Sequence, residues 1–533
     1  MSHDAASIPE VIRAQVTATP DQIAIIESPH GTEIKVTFRE LDELSVRFAQ
    51  HMLQQGIRPG DSVLVFVPMS VSLYACLLGI FRIGVTALFL DPSARLRHLS
   101  DCCALRPPKA FLGTWKAHLL RLASPALRSI PHHFWISANP KRLPQGNGSA
   151  VPIEHLTPPA PDDPALITFT SGSTGKPKAV VRTHRFLIAQ HQALEEAIEL
   201  RPGQRDLVTL PVFVLANLAS GVTSILPDSD MSRPGHVDPV RIASQVKRYQ
   251  PDRTCGSPAF YSRLAGSEGR AEIFATFRRI YTGGAPVFPS LLEQLQSLTQ
   301  SAHIVAVYGS TEAEPIAHIR WSEVSPSDLG NMRAGKGLLT GVPVPQVRLK
   351  ILRALPSGVH TPNQPVSLSA TEFAQQEATT GETGEICVSG DHVLKGYLNG
   401  VGDSDTKCRV EDVIWHRTGD AGYLDDQGRV WLLGRSSAMV TDSRGILYPF
   451  AVECVAQTYP FIARSAFVSQ NGKRVLVVEY KGKPATDNAD VLRKSLAWAQ
   501  IDEIKSVAAI PVDKRHNAKV DYPSLHKLLQ AGK

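Results

Sequence analysis

The 533-residue chain has little excess charge of either sign: Lys plus Arg number 56 and Asp plus Glu 50, a formal net charge of +6. A chain-wide basic field for nucleic acid is therefore excluded, because such binding needs Lys and Arg concentrated on one face or tail. Cysteine is sparse. Cys76, Cys102, Cys103, Cys255, Cys387, Cys408 and Cys454 form an odd set of seven with no C-x-x-C pair, so neither a zinc site nor a disulfide framework is suggested, and a reducing cytoplasm fits best. The start, Met1-Ser2-His3-Asp4, lacks the basic stretch and apolar block of a signal peptide, and Gln530-Ala531-Gly532-Lys533 carries no lipidation or retention signal. The sequon Asn147-Gly148-Ser149 is then idle. An uninterrupted membrane-length apolar run is also missing: Val71 to Leu90 has the length, but Gly79, Arg82 and Gly84 break it and it ends Ala87-Leu88-Phe89-Leu90-Asp91-Pro92. A buried helix followed by a short buried strand is expected there, with no transmembrane segment.

What is present is ordinary globular material, 43% hydrophobic and 20% charged, long enough for several structural units. Thr37-Phe38-Arg39-Glu40 has capping-box spacing, and Leu41, Leu44, Phe48 and Met52 recur at helical intervals up to Gly56. Short apolar runs at 62–67, 165–169, 207–210, 279–281 and 304–308 are separated by helix-length segments, which predicts an α/β architecture of parallel sheets wrapped by helices. Two stretches read as surface loops. Residues 139–164 hold seven prolines, and 356–383 is rich in Pro, Ser, Thr and Gln.

The segment with most chemical content is Thr170-Ser171-Gly172-Ser173-Thr174-Gly175-Lys176-Pro177-Lys178, directly after an apolar run. Small hydroxyl residues and glycines let backbone N–H groups and hydroxyls wrap phosphate oxygens, and lysine adds charge. It is not a Walker loop, since Pro177 stands where the second glycine is needed; neither a Rossmann G-x-G-x-x-G nor a G-x-S-x-G elbow is present. Further motifs follow in order: Gly283-Gly284-Ala285-Pro286, Tyr308-Gly309-Ser310-Thr311-Glu312, Gly384-Glu385-Ile386, Thr418-Gly419-Asp420, Gly434-Arg435 and a late lysine, Lys519.

This ordered set, spread from about residue 10 to residue 528, resembles the acyl-adenylate-forming (AMP-binding) superfamily of acyl-CoA synthetases, peptide-synthetase adenylation domains and luciferases. The resemblance implies a large N-terminal domain of helix-covered sheets, residues 1–435, and a small mobile α+β C-terminal domain, residues 436–533. It implies an AMP-forming ligase that uses ATP and Mg²⁺, with CoA left open. Joining a carboxylate to the α-phosphate brings two anions together, so charge must be neutralised and the attacking oxygen aligned. By resemblance, Glu312 holds Mg²⁺ with Thr311 beside it, residues 170–175 and Lys178 cradle phosphates, Tyr308 and the turn Gly284, Ala285 and Pro286 contact adenine, and Gly309 and Ser310 also belong to the nucleotide site. Asp420 takes the ribose hydroxyls, Arg435 touches ribose or phosphate near the hinge, and Lys519 reaches the α-phosphoryl group. The usual charged hinge residue is Ser437 here.

The acyl pocket falls on Val212, Phe213, Val214, Leu218 and Gly283. Many acyl-CoA ligases have a histidine where Val214 stands, so an apolar wall and an apolar acid are expected. Pro227 to Pro234, Gly256-Ser257-Pro258-Ala259, Tyr308 to Pro315 and Arg515-His516-Asn517-Ala518-Lys519 are similar to the β-lactone synthetases of bacterial olefin pathways. That implies a 3-hydroxy fatty acid whose own hydroxyl expels AMP. The alternatives are an acyl thioester ligase, with CoA or a carrier protein as partner, and a nucleotide-binding scaffold without catalysis.

Overall fold

The computed structural model describes residues 5–90, 96–144, 146, 157–171, 177–299, 301–353, 361–513 and 519–531. Two large sheets carry the body of the molecule. The first has six strands in the order His132–Trp135, Ala110–Gly113, Ser62–Phe66, Thr86–Phe89, Pro164–Ser171 and Pro177–Thr183. All pairs are parallel except the last, in which Pro164–Ser171 turns back antiparallel on Pro177–Thr183. The described ends of the phosphate-loop motif are thus cross-strand partners on this hairpin, Thr170 opposite Lys178 and Ser171 opposite Pro177. The second sheet runs parallel through Thr223–Ile225, Arg205–Val208, Arg253–Gly256, Arg279–Gly283 and His303–Ser310.

Beyond residue 310 the expected parallel pattern ends. Ala313–Arg320, Leu338–Pro343, Val430–Arg435, Val413–Leu424, Gly384–Ser389 and Arg348–Leu352 continue the same sheet antiparallel. Two of these pairs have a local reason: the connections from Ser310 to Ala313 and from Leu424 to Val430 are too short for the crossover helix that parallel neighbours require. A second departure concerns 356–383, expected to be a loop. It holds a strand, Val366–Leu368, and a helix, Ala370–Gln376, started by a reciprocal Ser369–Glu372 capping box. The polar composition hid that S-x-x-E start signal.

The two helices expected in the N-terminal region form as read. Phe38–Gln54 begins at a Thr37–Glu40 capping box. Val71–Arg82 is buried along its whole length and leads to the strand Thr86–Phe89. A Cβ at Gly79 would lie 2.8 Å from the Ser45 carbonyl, so only glycine lets these helices approach so closely. Among the described residues no helix is long and apolar enough to cross a membrane.

A small C-terminal unit follows Arg435. Ile462–Gln470, Lys473–Tyr480 and Glu503–Ser506 make a three-stranded sheet, with apolar clusters on its two faces around Phe467, Leu476 and Val478 and around Val475, Val477 and Leu525. Its helix Pro449–Ala456 also leans on the large domain, where Phe450 meets Phe288 edge-on with ring centroids 6.1 Å apart.

Candidate active site

Three of the expected nucleotide contacts form one cluster. Asp420 and Arg435 are register partners on adjacent antiparallel strands, which sets Arg435 Nη1 3.1 Å from Asp420 Oδ1. The same Nη1 donates to the Thr418 carbonyl at 2.6 Å, and the Tyr308 hydroxyl donates to Asp420 Oδ2 at 2.8 Å. The Asp420 carboxylate, Tyr308 and Glu312 hold the Arg435 guanidinium above its ordinary pKa. Burial, then the neighbouring Asp420 charge, pushes the Tyr308 phenol well up, so Tyr308 stays a donor. The expected adenine turn begins at the end of the strand Arg279–Gly283, with Gly283 opposite Val307 of the strand that carries Tyr308.

Glu312 lies beyond the strand His303–Ser310 and is held on both its backbone and its side chain. Its carbonyl accepts from Leu394 N at 2.8 Å, and its Oε1 accepts from the Tyr397 hydroxyl at 2.8 Å. Behind Tyr397 stands Lys407, a fully buried lysine. Its Nζ donates to the Leu394 carbonyl at 2.5 Å, lies 3.0 Å from His416 Nδ1 and sits 5.3 Å from the Tyr397 ring centroid. Burial pushes Lys407 down to about 7, against the pull of Glu312 and Asp403. Burial and the adjacent Lys407 push His416 down to about 3. Burial also opposes the charged form of Glu312, yet the positive charge of the His416–Lys407 pair and the Tyr397 hydrogen bond outweigh it and keep the carboxyl below its ordinary value.

Lys178 enters the same region from the hairpin. It is buried, with Nζ 5.4 Å from the Tyr397 centroid. A Cβ at Gly402, where φ is +98°, would lie 2.4 Å from Lys178 Cε, so the lysine passes through a gap that only glycine leaves. Arg182, on the same hairpin strand, donates to Thr168 Oγ1 at 3.0 Å and to the Thr311 carbonyl at 2.7 Å, fixing residue 311 beside Glu312. Lys519 is exposed, and its backbone is pinned to Asp513 in both directions. It lies close enough to Glu314 that its charge, with that of Arg182, opposes the upward push of burial on that carboxyl.

The donor set suits a hard cation: the Glu312 carboxylate, the Thr311 hydroxyl and Ser310 Oγ, which is buried without a hydrogen-bond partner among the described residues. Among the described residues no cluster of three or more His, Cys, Asp or Glu gathers there. Thr170 stands next to last on its strand, which Ser171 closes; Gly172, Ser173, Thr174 and Gly175, and the side chain of Ser171, lie outside the described residues.

Of the expected acyl-pocket residues, Val212 lines an apolar cavity with Ile8, Ile12, Leu187, Leu215 and Ala216. Phe213, Val214 and Leu218 are buried in the core of the same helix, Pro211–Ala219, and Gly283 is packed against Val307. Sequence reading missed Tyr397, Lys407, His416, Arg182 and Glu314. Only for Glu314 was there a usable signal, since it sits two residues past Glu312.

The family described as AMP-binding enzyme matches residues 12–398. The chain is 31% identical to an olefin beta-lactone synthetase of Stenotrophomonas maltophilia, over 97% of this chain and 96% of that protein. It is 27% identical to a 2-succinylbenzoate–CoA ligase of Bacillus licheniformis, over 86% and 85% of the two chains. The ATP-bound structure of MatB from Rhodopseudomonas palustris shares the fold with a TM-score of 0.78 at 20% identity, covering 98% of this chain and 99% of that one.

Proposed function

Because the chain belongs to the AMP-binding enzyme family and is an AMP-forming acid ligase, we propose that it adenylates a 3-hydroxy fatty acid and then closes a β-lactone. In the first step a substrate carboxylate oxygen bonds to the α-phosphorus of ATP, and the bond to the bridging oxygen breaks as pyrophosphate leaves. In the second the 3-hydroxyl oxygen bonds to the acyl carbonyl carbon, AMP departs with the electron pair, and the hydroxyl proton is lost to the departing phosphate. The ring closure needs no external thiol and gains from intramolecularity.

The observation that carries the adenylation step is that Glu312, held by Tyr397, acts on the same Arg435 guanidinium as Asp420 and Tyr308. Glu312, Thr311 and Ser310 would hold Mg²⁺, which supplies positive charge to the phosphates. Asp420 accepts the ribose hydroxyls, Lys178 meets the phosphates, and Lys519 neutralises charge developing on the α-phosphoryl group. Residues 436–533 form the unit that brings Lys519 to the site, and the Ser436–Ala438 turn after Arg435 is where it would rotate. Seven free, buried cysteines support a reducing cytoplasm as its compartment.

The lactone reading rests on the likeness to olefin beta-lactone synthetase over almost the whole chain. The second reading, a CoA or carrier-protein thioester ligase, rests on the weaker likeness to a CoA ligase. The non-catalytic scaffold is set aside, since Glu312, Asp420 and Lys519 are all in place. The deciding experiment offers fatty, 3-hydroxy, aromatic and amino acids with ATP and Mg²⁺, with and without CoA, and identifies the products by mass. AMP release and a product one water lighter than the hydroxy acid, formed without CoA, is expected; a CoA thioester with no lactone would overturn the ring closure.

A further inference from the structure

The near balance of charge over the whole chain conceals a one-sided segment. Residues 102–153 contain Arg106, Lys109, Lys116, Arg121, Arg128, Lys141 and Arg142 and no Asp or Glu at all, where the chain-wide frequency of 50 in 533 would give about five. The same segment carries the largest group of exposed apolar side chains. On the helix Trp115–Ala123, Trp115, Leu119 and Leu122 are 61%, 56% and 62% exposed. Their spacing of four and three residues puts them on one face. Trp135, 57% exposed, flanks that face from the adjoining strand, where its ring stacks on His118 with centroids 3.9 Å apart.

The face is built rather than frayed. His118 is buried with Nε2 3.2 Å from the Phe134 carbonyl, which ties the helix to the strand His132–Trp135, while Leu120 packs on the core below. Lys116, Arg128, Lys141 and Arg142 of the same segment are exposed, and Lys116 Nζ lies 5.6 Å from the Trp115 ring. Four large apolar side chains more than half exposed, three of them on one helix face, in a segment whose charged side chains are all basic, are not the scattered surface apolars of a soluble protein. An aromatic-aliphatic stripe with Lys and Arg at its margins matches a helix lying in the headgroup region of a bilayer.

We propose that this face docks on an anionic lipid surface, with Trp115, Leu119, Leu122 and Trp135 entering the headgroup–acyl boundary and the flanking Lys and Arg side chains meeting lipid phosphates. A second copy of the chain fits less well, because a two-fold contact through this patch sets the same basic side chains against themselves. Nucleic acid fits less well because the centre of the patch is aliphatic and offers its leucines nothing to stack on or hydrogen-bond. The face lies on the strand at one edge of the six-stranded sheet, whereas the hairpin carrying Lys178 is at the other edge. Five strand spacings, about 24 Å, separate the two, so docking leaves the candidate active site uncovered.

The test is sedimentation of the full chain with vesicles of phosphatidylcholine alone or of equal parts phosphatidylcholine and phosphatidylglycerol. Two variants accompany it: Trp115→Ser/Leu119→Gln/Leu122→Gln, and Lys116→Glu/Arg128→Glu. Wild type should bind the anionic vesicles at least tenfold more tightly than neutral ones and lose most of that advantage at 0.5 M salt. Each variant should bind at least tenfold more weakly, with acid-dependent pyrophosphate exchange on a water-soluble acid unchanged, which shows that it is folded. Four results would overturn the proposal: no wild-type binding to either vesicle, equal binding by wild type and both variants, a wild-type dimer that the triple variant converts to monomer, or preferential capture of an acidic polypeptide or single-stranded nucleic acid over vesicles.

Discussion

Replacing Tyr397 with phenylalanine deletes one oxygen atom and, with it, the 2.8 Å hydrogen bond to Glu312 Oε1. The ring itself should stay: its backbone N–H donates to Asp403 Oδ1 at 2.9 Å, and Lys178 and Lys407 place their ammonium groups 5.4 Å and 5.3 Å from its centroid. What is lost is orientation of a carboxylate that burial already disfavours in its charged form. A hydrogen bond to a charged acceptor contributes about 1.5–3 kcal/mol, or roughly 10- to 150-fold in an equilibrium or rate constant. If Glu312 holds the cation, that loss falls on the Mg²⁺-dependent step. Pyrophosphate release measured over a Mg²⁺ series should show a half-saturating concentration raised about tenfold or more, with the melting temperature nearly unchanged. A variant with the wild-type Mg²⁺ dependence and less than about a threefold loss of turnover would refute the reasoning, because the hydroxyl would then be merely a satisfied core group.

Three further substitutions separate site effects from fold effects. Gly402→Ala forces a side chain into a position with φ +98° and 2.4 Å from Lys178 Cε; the strain of about 1–3 kcal/mol and the displaced lysine should raise the KM for ATP by about tenfold, read from steady-state kinetics at saturating acid. Asp206→Ala strands Arg253, its wholly buried partner at 3.4 Å, and should cost about 3–5 kcal/mol in urea unfolding; a loss below about 1 kcal/mol would mean the pair is not what holds these two strands. Glu453 is buried in the C-terminal unit, accepting from Phe467 N at 2.9 Å, and burial pushes its carboxyl from 4.5 up to about 7. Between those values the folded chain keeps a proton that the unfolded chain releases, so stability falls as pH rises through the window. Glu453→Gln should flatten that slope and gain up to about 3 kcal/mol at pH 8 while changing little at pH 4.5, as read by melting curves of the two proteins at both pH values.

The parts of this molecule that sequence made legible are those whose signal is local. The capping box at Thr37–Glu40 and the broken apolar run 71–90 each carry their own start, period and stop, and both elements form where read. Asp420 and Arg435 were singled out separately by their motifs, and strand register then makes them neighbours. What escaped is set by packing between distant segments. Lys407 stands in the polar run Asp403 to Val410, where a lysine reads as solvated; only the fold buries it against His416 and behind Tyr397. Arg182 looked like one charge on a strand, yet it ties the hairpin to Thr311, 129 residues away. The antiparallel direction beyond residue 310 was not legible because strand-like runs alone do not give direction, and the helix Ala370–Gln376 was hidden in a polar stretch.

The central claim is that Glu312 and Lys519 serve adenylation of a carboxylic acid, and acid-dependent exchange of labelled pyrophosphate into ATP reads that step without depending on what accepts the acyl group. Wild type with an apolar acid and Mg²⁺ should exchange label, while Glu312→Gln and Lys519→Ala should each lose at least a hundredfold, about 2.7 kcal/mol, with Lys519→Ala still binding ATP. Exchange at the wild-type rate in both variants would contradict the account.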